Sequence, residues 1–448
     1  MKSAINLLPC SGYKNRLLQY RTIYLFIIFL AALCFAGWPH GVDYCDTPSY
    51  VMAMDAYRVF TVDDCRPPLF PCMMIGCEWL LGPQWGRSLL VLLQWLLFVA
   101  SVHSFRSSAA VVIRHRPRFV FWATVAYAFY PGIWQWCIMM QSESVGISLS
   151  VIFCWLALSL MVRPRASAVV WMALCLLLMI MTRPIFLVLM PMSVLVLLFS
   201  WKRHSRRRRV IVRWGTASVA ALCMCVGGYW LAVHRVTGLR SLSAVNAYNN
   251  YFQARVAGLV EPVENPQSAI DSIIACRVDT LRVVDPERGA HIVSVWGEIV
   301  DMYDNVPLRQ LEDYSSELIA AHPVEMLRYN YRKFQYQLPR YPLVRAVKMY
   351  YLNNPLVNMF MPFDLKDCAY MLIVIMFAGL WQWQWRRRGL FPAATFWLWG
   401  CCTLLYLAVV FGAMNDYTRL FAPAFPMLLL LLFQCGSMFR LRPDAKYV

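Results

Sequence analysis

Uninterrupted apolar runs constrain this 448-residue chain more than any other feature of its sequence. About ten of them reach the 17 to 25 residues that a helix needs to cross the hydrocarbon core of a bilayer. They cover residues 20–38, 87–105, 117–134, 144–162, 166–182, 185–201, 214–233, 368–385, 389–412 and 420–437. Only 15% of the residues are charged, against roughly 25% in a soluble domain. We therefore predict an all-α membrane protein, a polytopic bundle of about ten transmembrane helices.

The basic residues set the expected orientation. With the amino terminus inside, every dense cluster of arginine and lysine falls in a cytoplasmic segment, including "KRHSRRRR" at 202–209, as the positive-inside rule requires. Both termini are then cytoplasmic. The net charge of +18 is explained by this bias and by contact with anionic membrane lipids. Since no nucleic-acid recognition motif accompanies the charge, we predict no nucleic-acid partner.

The same orientation places two long segments outside the cytoplasm. Residues 39–86 form the first outer loop, in which "TPSYVMAMDAYRVF" predicts a short helix with Thr47 as N-cap and Pro48 as first helical residue. Residues 71–81 are apolar but too short to span, which predicts a second, interfacial helix. Three parts result: 1–233 with the first seven spans, 234–367 as a small extracytoplasmic helical region, and 368–448 with the last three spans and a cytoplasmic tail.

Carboxylates are concentrated on the outer side. Asp43, Asp46, Asp55, Asp63 and Asp64 lie in the first outer loop, and Glu143 begins the fourth span. A glutamate at that depth is costly unless a partner, water or a cavity compensates it. Because Thr47 is the expected N-cap, the carboxylate of Asp46 remains available as a general base. Asp55, Asp63 and Asp64 are interpreted as loop charges.

Three arginines on the same side are candidates for binding phosphate: Arg66, Arg183 and Arg419. The simpler interpretation of each is an anchor to lipid headgroups. The alternative is a charge-assisted fork that stabilises a departing phosphate. Carboxylates and arginines on one membrane face suit the transfer of a group from a lipid-linked phosphate.

Five motifs carry a resemblance to a known family. They are "DTPSY…RPPLFP" after the first span, a glutamate entering the fourth, "TRP" at 182–184, "ELIAAHPVEMLRYNYRKF" at 317–334 and "DYTRLFAPAFP" at 416–426. Their order across most of the chain resembles the GT-C superfamily of polytopic glycosyltransferases, especially the bacterial branch related to protein mannosyltransferases and the lipid A aminoarabinose transferase. Each motif alone is short and degenerate.

The resemblance implies inverting transfer of a hexose or pentose from a polyprenyl-phosphate donor to a glycan, lipid or protein acceptor, as in modification of lipopolysaccharide or another envelope glycan. The expected place is the outer face of a bacterial cytoplasmic membrane. The family's catalytic carboxylate maps onto Asp46, with Asp43 as the rival, and its second acidic position onto Glu143. The basic positions that contact the donor map onto Arg66 and Arg419. The chain lacks the family's adjacent acidic pair at the expected place, so a divalent metal ion held by Asp46 and Glu143 stays open.

Two other classes of function were weighed. A transporter or lipid flippase would carry ionisable residues near the bilayer midplane or repeated halves. The predicted spans contain few ionisable residues near their middle, and the sequence shows no internal repeat. A polymerase or ligase of surface polysaccharide would place its key arginines and histidines in the late outer loop rather than carboxylates in the first. The sequence therefore favours the glycosyltransferase.

Overall fold

The structure is a computed structural model that describes residues 13–43, 46–113, 116–261, 263–276, 292–336, 390–412 and 422–439. Within these ranges the regular secondary structure is helical, with one isolated bridge between Val42 and Met139, and turns and loops join the helices. The predicted span at 368–385 and the residue Arg419 lie outside the described residues.

The α-helices are α1 (Tyr13–Gly37), α2 (Thr47–Arg58), α3 (Leu69–Val112), α4 (Pro117–Phe129), α5 (Pro131–Trp134), α6 (Glu143–Val162), α7 (Ala166–Thr182), α8 (Met190–Arg203), α9 (Arg208–Thr237), α10 (Val245–Val256), α11 (Ala269–Cys276), α12 (Ile292–Asn305), α13 (Leu308–Ala321), α14 (Pro323–Tyr336), α15 (Leu390–Gly412) and α16 (Phe425–Phe439). Short 3-10 helices occupy Gln135–Cys137, Pro184–Leu189, Ser205–Arg207 and Ala422–Ala424.

Five of the described helical segments are long and apolar enough to cross a membrane, and three shorter apolar helices accompany them. Together with the composition, they confirm the predicted fold class, an all-α membrane protein. The predicted span at 117–134 differs from the structure, because Pro131 divides it into α4 and the single turn of α5. The helical pattern at 311–334 is likewise divided, into α13 and α14, at Pro323. Proline cannot donate a helical hydrogen bond and clashes with the preceding turn.

The long helix α3 is interrupted where the sequence separates an interfacial piece from a span. Gly82 adopts φ 77° and ψ 169°, and Pro83 follows it. This conformation is accessible to glycine and is strained for other residues. Two helical pieces therefore meet at Gly82, the first containing the apolar residues 71–81. Their interfacial position stays a prediction.

Helix α6 lies at the centre of the main hydrophobic core. It packs against α3, α7 and α8, and most of its side chains are buried. The amino-terminal end of α6 is Glu143, so this carboxylate stands at one end of the most enclosed helix.

A second hydrophobic cluster joins α10, α11, α12 and α13, with Tyr251, Met302 and Leu311 fully buried. Two side chains of the first outer loop, Val62 and Cys65, pack against it. Helix α10 also reaches the core helix α15, since Asn249 and Gln253 donate to the carbonyls of Gly412 and Phe411 at 2.6 and 2.9 Å. These bonds satisfy acceptors that the last turn of a helix leaves unpaired.

The second cluster encloses a buried ion pair that can be tested. Arg255 donates through Nε and Nη2 to both oxygens of Glu298 at 3.0 Å, and the hydroxyl of Tyr251 donates to the same carboxylate at 3.1 Å. We expect Arg255→Ala to lower the free energy of unfolding in detergent by roughly 3–5 kcal/mol, because it removes the positive charge of Arg255 from the buried glutamate.

Arg309→Ala is the matched control. Its pair with Asp313 is longer, at 3.7 Å, and solvent-exposed, so its removal should change stability by at most about 1 kcal/mol. Equal effects of the two substitutions would contradict the assignment.

Candidate functional site

The first outer loop is joined to the chain that enters α6 by backbone hydrogen bonds. The amide of Val42 donates to Ile138 at 2.8 Å, and the amide of Met140 donates to Val42 at 3.0 Å. Gly41 makes this approach possible, since it has φ +70° and a Cβ there would lie 2.8 Å from the sulfur of Met140. The residues just after α1 therefore lie beside those just before α6.

The start of α2 differs from the prediction that Thr47 is the N-cap. Thr47 is the first helical residue, and its hydroxyl donates to the carbonyl of Met140 at 3.2 Å instead of capping its own helix. Asp46 holds the N-cap position, yet its side chain makes no capping bond. The prediction was wrong about the cap because a tertiary contact takes the hydroxyl. The Asp46 carboxylate nevertheless has no capping role.

The Asp46 carboxylate pairs with Arg66. Nη2 of Arg66 lies 3.1 Å from Oδ1 of Asp46, with the two side chains 19% and 22% exposed. Nε of Arg66 donates to the hydroxyl of Ser49 at 2.8 Å, and the guanidinium stands 4.7 Å from the ring centroid of Tyr50. A carboxylate and a guanidinium thus share one partly exposed face at the start of α2.

Asp63 fixes the backbone that carries Arg66. Its Oδ1 accepts the amides of Cys65 and Arg66 at 3.0 and 2.5 Å, a local turn that aspartate favours. The hydroxyl of Tyr57 donates to the Arg66 carbonyl at 2.7 Å. Burial raises the pKa of Asp63 above its usual value, and the backbone hydrogen bonds from Arg66 and Cys65 offset only part of this rise. The neighbouring charge of Asp64 raises the pKa further. Asp63 is therefore a positioning residue, where the sequence suggested a loop charge.

Behind this face lies a second, buried pair. Nη2 of Arg183 donates to Oε1 of Glu143, whose side chain is 1% exposed, and Nε of Arg183 donates to the Ser142 hydroxyl at 3.0 Å. The hydroxyls of Ser142 and Tyr50 are 2.7 Å apart. The ring of Tyr50 therefore has its hydroxyl in the buried network and its face beside Arg66.

Gln141 links the buried pair back to Asp46. When the Gln141 amide is turned so that both of its ends are satisfied, its oxygen accepts the Asp46 N–H at 3.2 Å and its nitrogen donates to the two oxygens of Glu143 at 3.1 and 3.2 Å. The structure thus brings four predicted residues, Asp46, Arg66, Glu143 and Arg183, into one connected polar network. Their chemical roles stay predictions.

The two other predicted residues are Asp43 and Arg419. Asp43 is 60% exposed and pairs with Arg87, while Arg419 lies outside the described residues. For the open metal site, no group of three histidine, cysteine, aspartate or glutamate side chains within the described ranges is arranged to hold an ion. Asp46 and Glu143 each have an arginine partner instead.

Tyr50, Gln141 and Ser142 were not identified from the sequence. All three are buried and polar, and two belong to "QSES" at 141–144, a polar interruption between apolar stretches. That interruption was the available signal, since consecutive polar residues in such a place need partners. Tyr50 gave none, because a tyrosine in a short helix is ordinary.

We expect Glu143→Gln to destabilise the protein by about 3–5 kcal/mol, because Arg183 would keep a buried charge without its counter-charge. The double variant Glu143→Gln, Arg183→Met should recover most of the loss. Unfolding in detergent measures both. A double variant as unstable as the single one would contradict a structural pair.

A second prediction concerns Asp63. An acid whose pKa is raised by folding contributes stability that is complete below its unfolded pKa and is lost as the pH rises through its folded pKa. Asparagine keeps the accepting oxygen without the charge. Asp63→Asn should therefore be at least as stable as the parent at neutral pH, with the difference disappearing on acidification.

Asp63→Ala is the control, because it loses both backbone hydrogen bonds and should be less stable by roughly 1–3 kcal/mol at either pH. Thermal unfolding across pH distinguishes the variants. A large loss in Asp63→Asn at neutral pH would show that the negative charge itself is required.

No protein-family model and no curated protein sequence matches the chain. Among solved structures, the chain is similar to the archaeal oligosaccharyltransferase AglB from Archaeoglobus fulgidus, in complex with an inhibitory peptide and a dolichol-phosphate. The identity is 10%, the TM-score is 0.45, and the match covers 92% of this chain and 50% of that one. The chain thus spans about half the length of that protein.

Proposed function

We propose that this protein is a membrane glycosyltransferase of the GT-C type, which moves a sugar from a polyprenyl-phosphate donor to an acceptor at the outer face of the membrane. The single observation that carries the proposal is the Asp46–Arg66 pair at 3.1 Å on a partly exposed face. The order of motifs along the sequence supports it.

The two side chains supply what inverting transfer needs. The acceptor hydroxyl gives its proton to the Asp46 carboxylate while its oxygen forms the bond to the anomeric carbon. The bond from that carbon to the phosphate oxygen breaks, and the lipid phosphate leaves with the electron pair. Arg66 stabilises the charge that develops on this leaving group.

The guanidinium of Arg66 is suited to binding a phosphate. Its planar fork of N–H donors matches the oxygens of a phosphate, and contacts with Asp46 and Ser49 hold it in place. The stacked ring of Tyr50 limits rotation of the guanidinium plane. A donor phosphate would thus meet a preoriented fork, while Asp46 remains beside it.

In this proposal Glu143 and Arg183 position Asp46 through Gln141 and hold Tyr50 through Ser142. Their mutual contact and burial support such a role better than direct contact with the donor. Asp43 stays the reserve for the base, and Arg419 stays a predicted donor ligand.

The proposal also includes the orientation and location expected from the sequence. The termini and dense basic clusters lie in the cytoplasm of a bacterial cell, residues 39–86 and 234–367 lie outside, and the chain divides at 233 and 367. The sugar is a hexose or pentose, and the acceptor is a glycan, a lipid or a protein.

The test is a reconstituted assay with polyprenyl-phosphate sugars and membrane extracts as acceptors. Asp46→Asn should lower the transfer rate by roughly 10²–10⁴-fold, since a general base contributes about that much. Asp55→Asn is the matched control, because this carboxylate of the same helix is exposed and pairs with Arg58. Full activity of Asp46→Asn would refute the catalytic assignment.

A further inference from the structure

An acidic and aromatic cluster lies at the junction of the first outer loop and the second hydrophobic cluster. We define the tyrosine–aspartate cluster as Asp64, Tyr248, Tyr303 and Asp304. The rings of Tyr248 and Tyr303 are 5.8 Å apart and tilted by 50°. Tyr248 is 6% exposed, whereas Tyr303 is 44% exposed, so the cluster is open on the side of Tyr303.

Hydrogen bonds hold the segment that carries Asp64 against the start of α10. The amide of Ala244 donates to the carbonyl of Asp64 at 2.7 Å, and the Ser243 hydroxyl donates to that of Cys65 at 2.7 Å. Tyr248 follows one turn after Ala244 in α10, while Tyr303 and Asp304 come from the last turn of α12. The arrangement is therefore built from three segments.

The Tyr248 hydroxyl is buried and has no hydrogen-bond partner among the described residues. A buried hydroxyl without a partner is costly, so such a group indicates a missing ligand or water. Burial and the nearby charges of Asp64 and Asp304 hold the pKa of Tyr248 above its usual range, so the hydroxyl is neutral. It can accept a hydrogen bond.

The negative charges have no basic partner within the described residues. No arginine or lysine there forms an ion pair with Asp64 or Asp304, although the whole chain carries a net charge of +18. Arg66, two residues from Asp64, directs its guanidinium to Asp46 and Ser49. A cationic ligand would supply the missing charge.

We infer that the tyrosine–aspartate cluster is a binding site for a primary ammonium group. The carboxylates of Asp64 and Asp304 would balance its charge, and the tyrosine rings would attract it through their faces. The neutral Tyr248 hydroxyl would accept one of its N–H bonds.

The site deepens the proposed function, on which its biological role rests. The turn from Asp63 to Arg66 carries both Asp64 of the cluster and Arg66 of the proposed donor site. The ammonium group would then belong to the acceptor, which would be an amine-bearing lipid, glycan or peptide. Binding itself does not depend on sugar transfer.

The test is a titration of the full chain in detergent micelles with ethanolamine, followed by saturation-transfer NMR at constant ionic strength. Ethylene glycol serves as the neutral probe of similar size. We expect ethanolamine to bind and ethylene glycol not to bind. Asp64→Asn with Asp304→Asn should weaken the binding of ethanolamine by at least about tenfold, the usual effect of removing bonds to a charged group.

Asp55→Asn is the matched control and should bind ethanolamine as the parent does. Tyr303→Phe keeps the ring and should bind within a few fold of the parent. Asp304→Asn alone changes an exposed helix end and should fold. If the double variant does not fold, weaker binding of ethanolamine to Asp304→Asn is the result expected from the inference. Asp46→Asn should lose transfer and retain ethanolamine binding, which separates failure of the site from failure of the proposed function.

Three outcomes would overturn the inference. One is the absence of ethanolamine binding to the parent protein. Another is equal binding of ethylene glycol, which would indicate a site for neutral hydroxyl groups. The third is undiminished binding in folded Asp64→Asn, Asp304→Asn protein.

Discussion

The buried ion pair between Arg183 and Glu143 is the interaction on which the candidate site depends. Moving two charges out of water costs several kcal/mol for each ion, and only close geometry with further hydrogen bonds compensates that cost. Ser142 and Gln141 supply those bonds, and both extend toward the first outer loop. The requirement to satisfy the buried charges therefore fixes α2 against the start of α6. The backbone contact at Val42 and the bond from the Thr47 hydroxyl to the Met140 carbonyl join the same two segments.

The Arg183–Glu143 and Asp46–Arg66 pairs have the same chemistry but differ in burial, and therefore in their access to a substrate. In the Arg183–Glu143 pair, the glutamate side chain is 1% exposed and the arginine side chain 11%, so the pair is less accessible to a substrate. The Asp46–Arg66 pair is partly exposed, with about a fifth of each side chain open to solvent. Tyr50 connects the two pairs, with its hydroxyl in one and its ring against the other. A buried, rigid pair that supports an accessible pair is the arrangement that preorganised catalysis requires.

The sequence predicted the features that arise from composition and local chemistry. Apolar length identified helices, and it separated the piece at 71–81 from the span at 87–105, between which α3 is interrupted at Gly82. The expectation that the Asp46 carboxylate does not cap α2 was confirmed, although the cap position itself was misplaced, and the catalytic role of Asp46 stays a prediction. What could not be predicted was the use of Thr47, Tyr50 and Gln141, because each depends on a partner more than 90 residues away or on a packing geometry without local signal. The role of Asp63 was missed for a related reason, since its neighbours Val62 and Cys65 pack against the distant second cluster.

The turn from Asp63 to Arg66 connects the two faces of the outer loop. Its side chains and carbonyls serve both: Asp63 holds the Arg66 amide, while the carbonyls of Asp64 and Cys65 bind the segment that starts α10. Helix α10 in turn binds the end of α15 through Asn249 and Gln253. A ligand that orders the tyrosine–aspartate cluster would therefore stabilise the turn that orients Arg66. A side chain loses less conformational entropy on binding when its backbone is already fixed. In the proposed function, an ammonium ligand in the tyrosine–aspartate cluster would therefore strengthen the binding of the donor phosphate to Arg66.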